Sequence, residues 1–341
     1  MKAMLLRGAK LPFEPVELPD PAPGAGEAVA RVITCGSGLT IQHAKAGRRA
    51  IPFPRVIGHE ITAEIVAIGA GVTGLKLGDA VTAYFYLNCG HCRWCRTGSM
   101  AQFDQVAFLG TSWTGGALAE RLNLNAYQCY HLSPAISDEI GALVEPFSST
   151  VRAVAQGEPV AEDRVAIVGA GPIGLMALMA ARLRGVKQVV AIEMAERRIE
   201  AAKLCGADEV INPQREDPEK RARELTQGQG FDMVMECAGQ PASVLMAAKL
   251  TRTRGRLVIM GVFEKPAAID LTDVVFREKI ISGSMSGYGL YDETIRIMTD
   301  PRFRGDLLIT DHIGLDDLVG QGYHGLLHEK DKHVKILVRP E

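Results

Sequence analysis

The sequence predicts an α/β protein in which a β-rich domain is followed by a doubly wound parallel sheet. Three observations lead to this prediction. Up to about residue 145, short apolar runs are separated by Gly, Pro and Asp; from about residue 150, strand and helix patterns alternate; and a glycine turn joins the first such strand to its helix. Closely spaced short strands are typical of a partly closed β-fold, and regular alternation is typical of parallel strands with helices on both faces.

Composition narrows the class of protein. The chain has 341 residues, of which 47% are hydrophobic and 23% charged, and its formal net charge is −2. These values indicate a soluble globular protein of two or three domains, and they argue against a nucleic-acid partner. The sequence lacks a run of eighteen apolar residues and a signal peptide, which argues against a membrane partner. An odd number of cysteines, seven, favours reduced thiols, metal chemistry and a cytoplasmic location.

The first domain is predicted at 1–148. Its strands are expected in EAVARVITCG (27–36), ITAEIVAIGAGV (61–72) and GDAVTAYFYL (78–87), which are apolar runs bounded by turn-forming residues. The segment 290–341 ends in a short predicted strand, HVKILV. Because this segment is too short to fold alone, we expect it to pack back on the first domain.

The second domain is predicted at 149–289, where strands and helices alternate. The pattern begins with the strand, turn and helix DRVAIVGAGPIGLMALMAARLRG and continues through the helix MAERRIEAAKLCG, which we expect to end at Gly206. A charged helix is expected in EDPEKRARELTQGQG, and a last helix and strand in PASVLMAAKLTRTRG and RLVIMGV. Units of this length predict a parallel sheet with helices on both faces.

A G-x-G-x-x-G turn opens the second domain. Gly169, Gly171 and Gly174 occupy the glycine positions, with Pro172 and Ile173 at the start of the helix. The first glycine permits a tight turn, the second lets the backbone approach a pyrophosphate, and the third lets helix and strand pack closely. Between a strand and a helix this motif predicts dinucleotide binding, and a simple packing turn is the plainer alternative.

Glu193 ends the second strand of this domain, 19 residues after Gly174. A carboxylate at this position accepts hydrogen bonds from the ribose hydroxyls of NAD and repels the 2′-phosphate of NADP. Arg197 and Arg198 follow closely, and either could instead bind a phosphate. The carboxylate favours NAD, and we include Arg198 among the candidate cofactor-binding residues.

Good zinc donors occur at separated places in the first domain: Cys35, the pair His59 and Glu60, and Glu145. Catalytic zinc is held by three protein ligands, with one position open to water or substrate. Each residue also has a plainer interpretation, such as a small core cysteine or a carboxylate that caps a turn. Sequence spacing alone does not bring these residues together.

Cys89, Cys92 and Cys95 form two overlapping C-x-x-C steps, a spacing typical of a zinc-binding lobe. A closed zinc site has four ligands, and the lobe supplies three cysteines. Asp104 is the candidate fourth ligand for a second zinc. The alternative is an empty lobe with free thiols, which would be prone to oxidation.

Several motifs together resemble the zinc-dependent medium-chain alcohol, polyol and threonine dehydrogenases. The segment GHEITAEIVAIGAGVTGLKLGDAV is similar to the GHE signature of that family, and the three-cysteine lobe, EPFSSTVRAV, GAGPIG and HVKILV follow in the same order. The resemblance covers essentially the whole chain. It implies a GroES-like catalytic domain, a Rossmann domain, an active site in the cleft between them, and a dimer or tetramer.

The resemblance also implies roles for single residues. Cys35, His59 and Glu145 would hold the catalytic zinc, and Glu60 would be a spare ligand that moves onto the metal when water leaves. Ser37 would pass on the proton of the alcohol. The cysteine lobe would be a structural appendage away from the chemistry.

The sequence departs from the family pattern in several places. Gly38 stands where the family usually has Asp, Thr40 replaces the histidine of the proton relay, Ala63 replaces a glycine, and Phe103 replaces the fourth cysteine of the lobe. Thr40 can hand on a hydrogen bond but cannot hold a proton at neutral pH. His43 is an alternative relay group.

We therefore interpret the chain as an oxidoreductase that transfers hydride between NAD and a secondary alcohol or polyol, with a catalytic zinc and a ketone as product. The side chains that could line a substrate pocket, each equally plausible in a core, are Trp113, Tyr84, Phe85 and Phe147. Two alternatives remain open: a zinc-free quinone or enoyl reductase of the same superfamily, and a dinucleotide-binding redox sensor without turnover.

Overall fold

The structure is a computed structural model that describes residues 1–38, 53–99, 102, 107–108, 115–329 and 331–341. The chain forms two compact units. Unit 1 consists of Met1–Glu145, Tyr291–Thr299 and Ile309–Glu341, and unit 2 consists of Pro146–Leu290 and Asp300–Leu308. Among the described residues, no helix has the length and apolar character needed to cross a membrane.

The described residues form eighteen strands, which in chain order are β1 (Lys2–Leu6), β2 (Phe13–Glu17), β3 (Glu27–Gly36), β4 (Arg55–Val56), β5 (Ile61–Ile68), β6 (Ala80–Ala83), β7 (Tyr86–Leu87), β8 (Ala107–Phe108), β9 (Arg121–Asn125), β10 (Cys129–His131), β11 (Arg164–Val168), β12 (Gln188–Ile192), β13 (Glu209–Ile211), β14 (Phe231–Glu236), β15 (Thr251–Ile259), β16 (Ile280–Gly283), β17 (Ile309–Gly314) and β18 (Lys335–Arg339).

The same residues form ten α-helices, which are α1 (Arg93–Arg96), α2 (Asp138–Gly141), α3 (Val144–Gly157), α4 (Pro172–Leu183), α5 (Glu196–Leu204), α6 (Pro218–Leu225), α7 (Pro241–Leu250), α8 (Leu271–Phe276), α9 (Tyr291–Met298) and α10 (His324–His328). Short 3₁₀ turns lie at Ala126–Gln128 and Gly305–Leu307, and a π-helical turn lies at Leu318–Tyr323.

Unit 1 is β-rich. Its largest sheet has the order β10-β6-β5-β3-β18-β17, with β9 also paired to β3, and a second sheet has the order β2-β1-β4. The predicted strand at 27–36 coincides with β3. The segment predicted at 61–72 is a strand only as far as Ile68, and the chain then turns through Gly71, whose φ of 75° is in the left-handed region. The segment 78–87 forms two strands, β6 and β7, instead of one.

The end of the chain enters the large sheet of unit 1. Strand β18 pairs antiparallel with β3 and parallel with β17, and its residues from Lys335 to Val338 are buried. Residues 300–308, which the predicted boundaries assign to the first domain, belong instead to unit 2. There the Phe303 ring packs on Phe147 with centroids 4.6 Å apart, and this apolar contact retains the segment in unit 2.

Unit 2 contains a six-stranded sheet of order β13-β12-β11-β14-β15-β16, in which every neighbouring pair is parallel. The order reverses between β11 and β14, as in doubly wound dinucleotide-binding folds, where ligands bind beyond the carboxyl ends of the strands. The strands are short runs of buried Val, Ile, Ala and Met, which a parallel sheet covered on both faces requires.

Local signals explain where several helices of unit 2 begin and end. Asp217 caps α6, because its side chain accepts hydrogen bonds from the N–H groups of Glu219 and Lys220, and Pro218 takes the first helical position. Helix α5 ends at Leu204, and Gly206 follows with φ of 100°, as the sequence predicts.

Two predicted helices are shorter in the structure. Of the charged segment 216–230, only Pro218–Leu225 is helical. The helix predicted through TRTRG ends at Leu250, and Thr251 begins β15 by pairing with Phe231 of β14. The β-branched Thr251 favours a strand, and its hydroxyl donates to the Ala247 carbonyl oxygen at 2.8 Å at the end of the helix.

Candidate metal and cofactor sites

Three buried side chains of unit 1 converge on one point. The ligand atoms of His59, Glu60 and Glu145 all lie within 4.8 Å of one another. His59 and Glu60 directly precede β5, and Glu145 lies in the first turn of α3. The three residues are only 4% to 6% exposed, so water is largely excluded from this group. Imidazole and carboxylate groups in this arrangement are suitable ligands for zinc.

Cys35 lies beside this group, at the end of β3, where it pairs with Ile61 of β5. Its thiol is buried, and burial together with the nearby Glu60 charge raises the pKa of the thiol to about 12. The Sγ atom is 3.7 Å from the Gly36 carbonyl oxygen, outside the set of atoms that converge within 4.8 Å. The structure thus brings His59 and Glu145 of the predicted ligand set together with Glu60, and it places Cys35 next to them.

The charges around this group suit a divalent cation. Burial, and the negative charge of Glu60, raise the pKa of Glu145 well above its ordinary value. The ammonium group of Lys335 donates to Glu60 Oε2, and Lys335 is itself buried. Two carboxylates held this close, away from water, repel each other strongly. A bound cation would lower that repulsion, so the donors present fit zinc.

The predicted aromatic residues lie in different surroundings. The Phe85 ring packs on the His59 imidazole with centroids 4.9 Å apart, which limits the orientation of that imidazole. Tyr84 packs edge-on against Tyr291, with centroids 5.4 Å apart, and Phe147 packs within unit 2. Phe85 thus adjoins the converging group, and Trp113 lies outside the described residues.

Ser37, two residues after Cys35, is buried and its hydroxyl donates to the Ile336 carbonyl oxygen at 2.7 Å. Because that donation uses the hydroxyl hydrogen, the oxygen is left to accept a hydrogen bond from another group. The next predicted relay residue, Thr40, and its alternative, His43, lie outside the described residues.

The three cysteines of the lobe also come together. The sulfur atoms of Cys89, Cys92 and Cys95 lie within 4.8 Å of one another, and the N–H groups of Cys92 and Cys95 point at the sulfur atoms of Cys89 and Cys92. Burial raises the pKa of Cys89, but hydrogen bonds from the backbone of His91 and Cys92 lower it to about 7. The imidazole of His91 bonds to the Cys89 carbonyl oxygen at 2.7 Å. Asp104 lies outside the described residues.

The glycine turn of unit 2 has the geometry that its motif requires. Gly169 has φ of 91°, in the left-handed region that favours glycine. A side chain at Gly174 would overlap the Gly169 carbonyl oxygen, whereas one at Gly171 would meet only the Arg198 guanidinium, at 3.7 Å. Helix α4 begins at Pro172, followed by Ile173, so its free N–H groups open toward this turn.

The Glu193 carboxylate is held at the end of β12 by three backbone groups. It accepts hydrogen bonds from the N–H of Ala170 at 2.9 Å, of Met194 at 2.7 Å and of Ala195 at 3.0 Å. The first bond ties the carboxylate to the glycine turn. Arg198 lies beside Gly171 in the same unit, whereas Arg197 pairs with Glu200 at 3.8 Å.

Lys335 is the site residue that the sequence predictions omit. It lies 275 positions from Glu60 in the chain, and the contact exists only because β18 inserts beside β3. A signal was nevertheless present: a lysine within the apolar run HVKILV is a charge on a strand predicted to be buried.

Segments of both units match known protein families. Residues 24–134 match the family described as "Alcohol dehydrogenase GroES-like domain", and residues 172–300 match the family described as "Zinc-binding dehydrogenase". The chain is 32% identical over 288 residues to (R,R)-butanediol dehydrogenase of Bacillus subtilis (strain 168), which covers 84% of the chain and 81% of that protein.

Two further similarities extend over nearly the whole chain. L-threonine 3-dehydrogenase of Shewanella baltica (strain OS185) is 30% identical over 332 residues, which are 96% of each protein. The crystal structure of 2R,3R-butanediol dehydrogenase from Bacillus subtilis superposes with a TM-score of 0.92 at 30% identity, covering 100% of this chain and 99% of that one.

Proposed function

The chain belongs to the zinc-binding dehydrogenases with an alcohol dehydrogenase GroES-like domain, and from that membership we propose that it interconverts a secondary alcohol or polyol and its ketone with a nicotinamide dinucleotide. The observation that carries the proposal is the convergence of His59, Glu60 and Glu145 in a buried group of unit 1. Sequence relatives named as butanediol and threonine dehydrogenases support a secondary alcohol as substrate.

The metal site proposed here consists of Cys35, His59 and Glu145, with Glu60 as a spare ligand. The donor types and the burial of the group support zinc. When bound, zinc supplies a Lewis acid for the alcohol oxygen, and the nicotinamide accepts the hydride from the carbinol carbon. His59, just before β5, and Glu145, in the first turn of α3, would hold the metal, and the Phe85 ring restrains the imidazole.

Ser37 is proposed to orient the hydroxyl group of the substrate. Its own hydrogen is committed to Ile336, so its oxygen accepts the hydrogen bond of the alcohol in a fixed direction. An onward relay through Thr40 would require the Ser37 hydroxyl to turn away from the Ile336 carbonyl oxygen, because serine has a single hydrogen to donate. Burial of Ser37 and of the carboxylates excludes water, which strengthens each of these polar interactions.

The cofactor is proposed to be NAD. The pyrophosphate would lie at the turn of Gly169, Gly171 and Gly174, against the start of α4. Glu193 supports NAD over NADP, because a carboxylate anchored to the turn accepts from ribose hydroxyls and repels a 2′-phosphate. Arg198, beside Gly171, is proposed to contribute to binding of the phosphates.

The oligomeric state, the compartment and the metal content of the protein are also part of the proposal. We expect a homo-oligomer, since β16 is at the end of the sheet of unit 2 and exposed apolar side chains lie on and near it. Seven cysteines present as free thiols support a reducing, cytoplasmic compartment. Finally, the three cysteines of the lobe are proposed to hold a second zinc with Asp104.

The test combines metal analysis with an assay of NADH absorbance. The purified protein should retain zinc after dialysis and should reduce NAD in the presence of members of a panel of vicinal diols, polyols and β-hydroxy amino acids. Removal of zinc by a chelator should abolish turnover, and added zinc should restore it. A chain that reduces a quinone or an enone without zinc, or one that binds NADH without any turnover, would refute the proposal in favour of a reductase or a sensor.

A further inference from the structure

The ion pair between Lys335 and Glu60 is the most enclosed pair of opposite charges at the metal site. The side chains are only 3% and 7% exposed, and the Lys335 ammonium group donates to Glu60 Oε2. Lys335 comes from the last strand, β18, and Glu60 immediately precedes β5. A buried ion pair is poor evidence for stability, because desolvation offsets the attraction between the charges. Stability therefore does not explain why this ion pair is buried at the metal site, and a role in metal binding is the alternative.

Two glycines make room for the Glu60 carboxylate. A Cβ atom at Gly36 would overlap Glu60 Oε2 and would lie 3.0 Å from Lys335 Cε, and a Cβ atom at Gly38 would overlap Glu60 Oε1. The backbone is fixed at the same place, since the Gly36 N–H donates to the Glu60 carbonyl oxygen at 2.7 Å. The carboxylate thus occupies a hollow lined by Gly36, Gly38 and the Lys335 side chain.

The same carboxylate is within reach of the metal ligands. One of its oxygens lies within 4.8 Å of a nitrogen of His59 and an oxygen of Glu145. A small rotation of the side chain would let it bind a cation held there. A catalytic zinc needs an open position for the substrate, and an extra permanent ligand would fill that position.

We propose that Lys335 is a positioning residue that holds Glu60 in the glycine hollow and so keeps one coordination position of the metal open. The inference rests on the proposed function, because it requires a metal at this site. Without Lys335 the buried carboxylate loses its cationic partner, and the metal becomes the nearest positive charge. Mutation of residues that orient metal ligands from outside typically lowers metal affinity by about 10- to 100-fold. Loss of Lys335 should have the opposite sign, because it frees a carboxylate to bind the metal.

The test measures zinc release to a chromogenic chelator from the purified, zinc-loaded protein. In Lys335→Met, zinc release should be slower than in the wild type by about tenfold, because Glu60 becomes an additional ligand. Glu60→Gln should not show this slowing, since an amide is a poor zinc ligand. The double variant should release zinc at the rate of Glu60→Gln, which would show that Lys335 acts through Glu60. In a cobalt-substituted protein, Lys335→Met should also change the visible absorption bands of the metal.

Lys279 provides a matched control in unit 2. It is a buried lysine whose ammonium group donates to Asp273 at 2.6 Å and to the Ala248 carbonyl oxygen at 2.7 Å. Lys279→Met removes a comparable buried charge, and it should lower the melting temperature without changing zinc release. If Lys335→Met fails to fold, Lys335→Gln, which keeps a polar group at the site, should show the slower release.

The outcomes separate this inference from the proposed function. Release from Lys335→Met or Lys335→Gln at the wild-type rate or faster, with a wild-type protein that retains zinc, would refute the positioning role alone. Slowing that persists in the double variant would also refute it, because Glu60 would not be the group that responds. A wild-type protein that holds no zinc would refute the proposed function together with this inference.

Discussion

His59, Glu60 and Glu145 show how burial changes what ionisable side chains can do. In water each would be solvated separately, but here their ligand atoms lie within 4.8 Å of one another with little exposure. Burial also raises the pKa of Cys35 to about 12, so that its thiol is protonated in the metal-free protein at neutral pH. Because a cysteine ligand must be a thiolate, zinc binding through Cys35 would release a proton.

The first prediction concerns the proposed ligands. Cys35→Ser and His59→Ala should lower kcat by about a thousandfold or more, since the Lewis acid contributes several kcal/mol to the transition state. NADH binding, measured by fluorescence titration, should be unchanged in both variants. Cys129→Ser is the matched control, because Cys129 lies in β10 and is not one of the proposed zinc ligands. Wild-type turnover by either ligand variant would show that the zinc mechanism is wrong.

The second prediction concerns the choice of dinucleotide. Wild-type kcat/KM should be higher with NAD than with NADP, and Glu193→Gln should reduce that ratio by about tenfold, or about 1.4 kcal/mol, because the repulsive charge is lost. The amide can still accept the hydrogen bond from the Ala170 N–H. Glu196→Gln, which removes an exposed acid paired with Arg215, should leave the ratio unchanged. A wild-type preference for NADP would instead indicate that Arg197 or Arg198 binds the 2′-phosphate.

Sequence motifs named side chains that the structure brings together, whereas the metal-binding role of these side chains stays a prediction. His59 and Glu145 were identified from motifs and do converge, yet their partner in the structure is Glu60, with Cys35 beside them. Lys335 was missed because its contact with Glu60 spans 275 positions and depends on how β18 inserts into the sheet. Local motifs carry no information about such a long-range pairing.

At the scale of single elements, the turn between β11 and α4 contains two glycines that are required for different reasons. At Gly174 a side chain would overlap the backbone of Gly169, so the glycine is needed for packing. At Gly171 the nearest atom to an added Cβ is 3.7 Å away, so the protein alone does not need a glycine there. The requirement at Gly171 comes from the pyrophosphate that the motif predicts.

The third prediction follows from this difference. Gly174→Ala should destabilise unit 2 by about 1–3 kcal/mol, the usual effect of overpacking, and should be detected as a lower melting temperature. Gly171→Ala should cost at most about 1 kcal/mol, because Gly171 is the N-cap of α4, but it should weaken NADH binding by about tenfold or more. Thermal unfolding and NADH titration on both variants would test this. Equal losses of stability would contradict the separation of roles.

The cysteine lobe is a second element for which we predict a bound metal. The fourth prediction is that elemental analysis finds two zinc ions per chain. Cys92→Ser and Asp104→Ala should each reduce this number to one without loss of turnover, because the lobe is proposed to be structural. One zinc in the wild-type protein, together with three lobe thiols that react with a thiol reagent, would show that the lobe is empty.

Element boundaries show where sequence patterns stop being informative. The glycine turn, β3 and the helix end at Gly206 were predicted closely, because turns and caps depend on local chemistry. The apolar pattern of PASVLMAAKLTRTRG did not mark the end of α7, since pairing of Thr251 with β14 overrides helical preference. The segment 78–87 was predicted as one strand, although the two strands it forms pair with different partners.

At the scale of the whole molecule, exposed apolar side chains lie at one end of the sheet of unit 2. Strand β16 is at the end of the six-stranded sheet, and four apolar residues on and before it are exposed, by 56% to 82%: Leu271, Val275, Phe276 and Ile280. A sheet edge has backbone groups that can pair with another chain, and nearby apolar side chains add area that water does not solvate well. These features support self-association through unit 2.

The last prediction tests this association. Analytical ultracentrifugation should give a wild-type mass that is a multiple of 36.7 kDa, and the double variant Val275→Glu with Phe276→Glu should sediment as a single 36.7 kDa chain. Two charges in an apolar interface would lose their hydration on association, which costs several kcal/mol. Leu77→Glu is the control, because Leu77 is 67% exposed but belongs to unit 1, so this variant should keep the wild-type mass. A wild-type protein that sediments as one chain would refute the association. A double variant that stays associated would show that the subunits contact each other elsewhere.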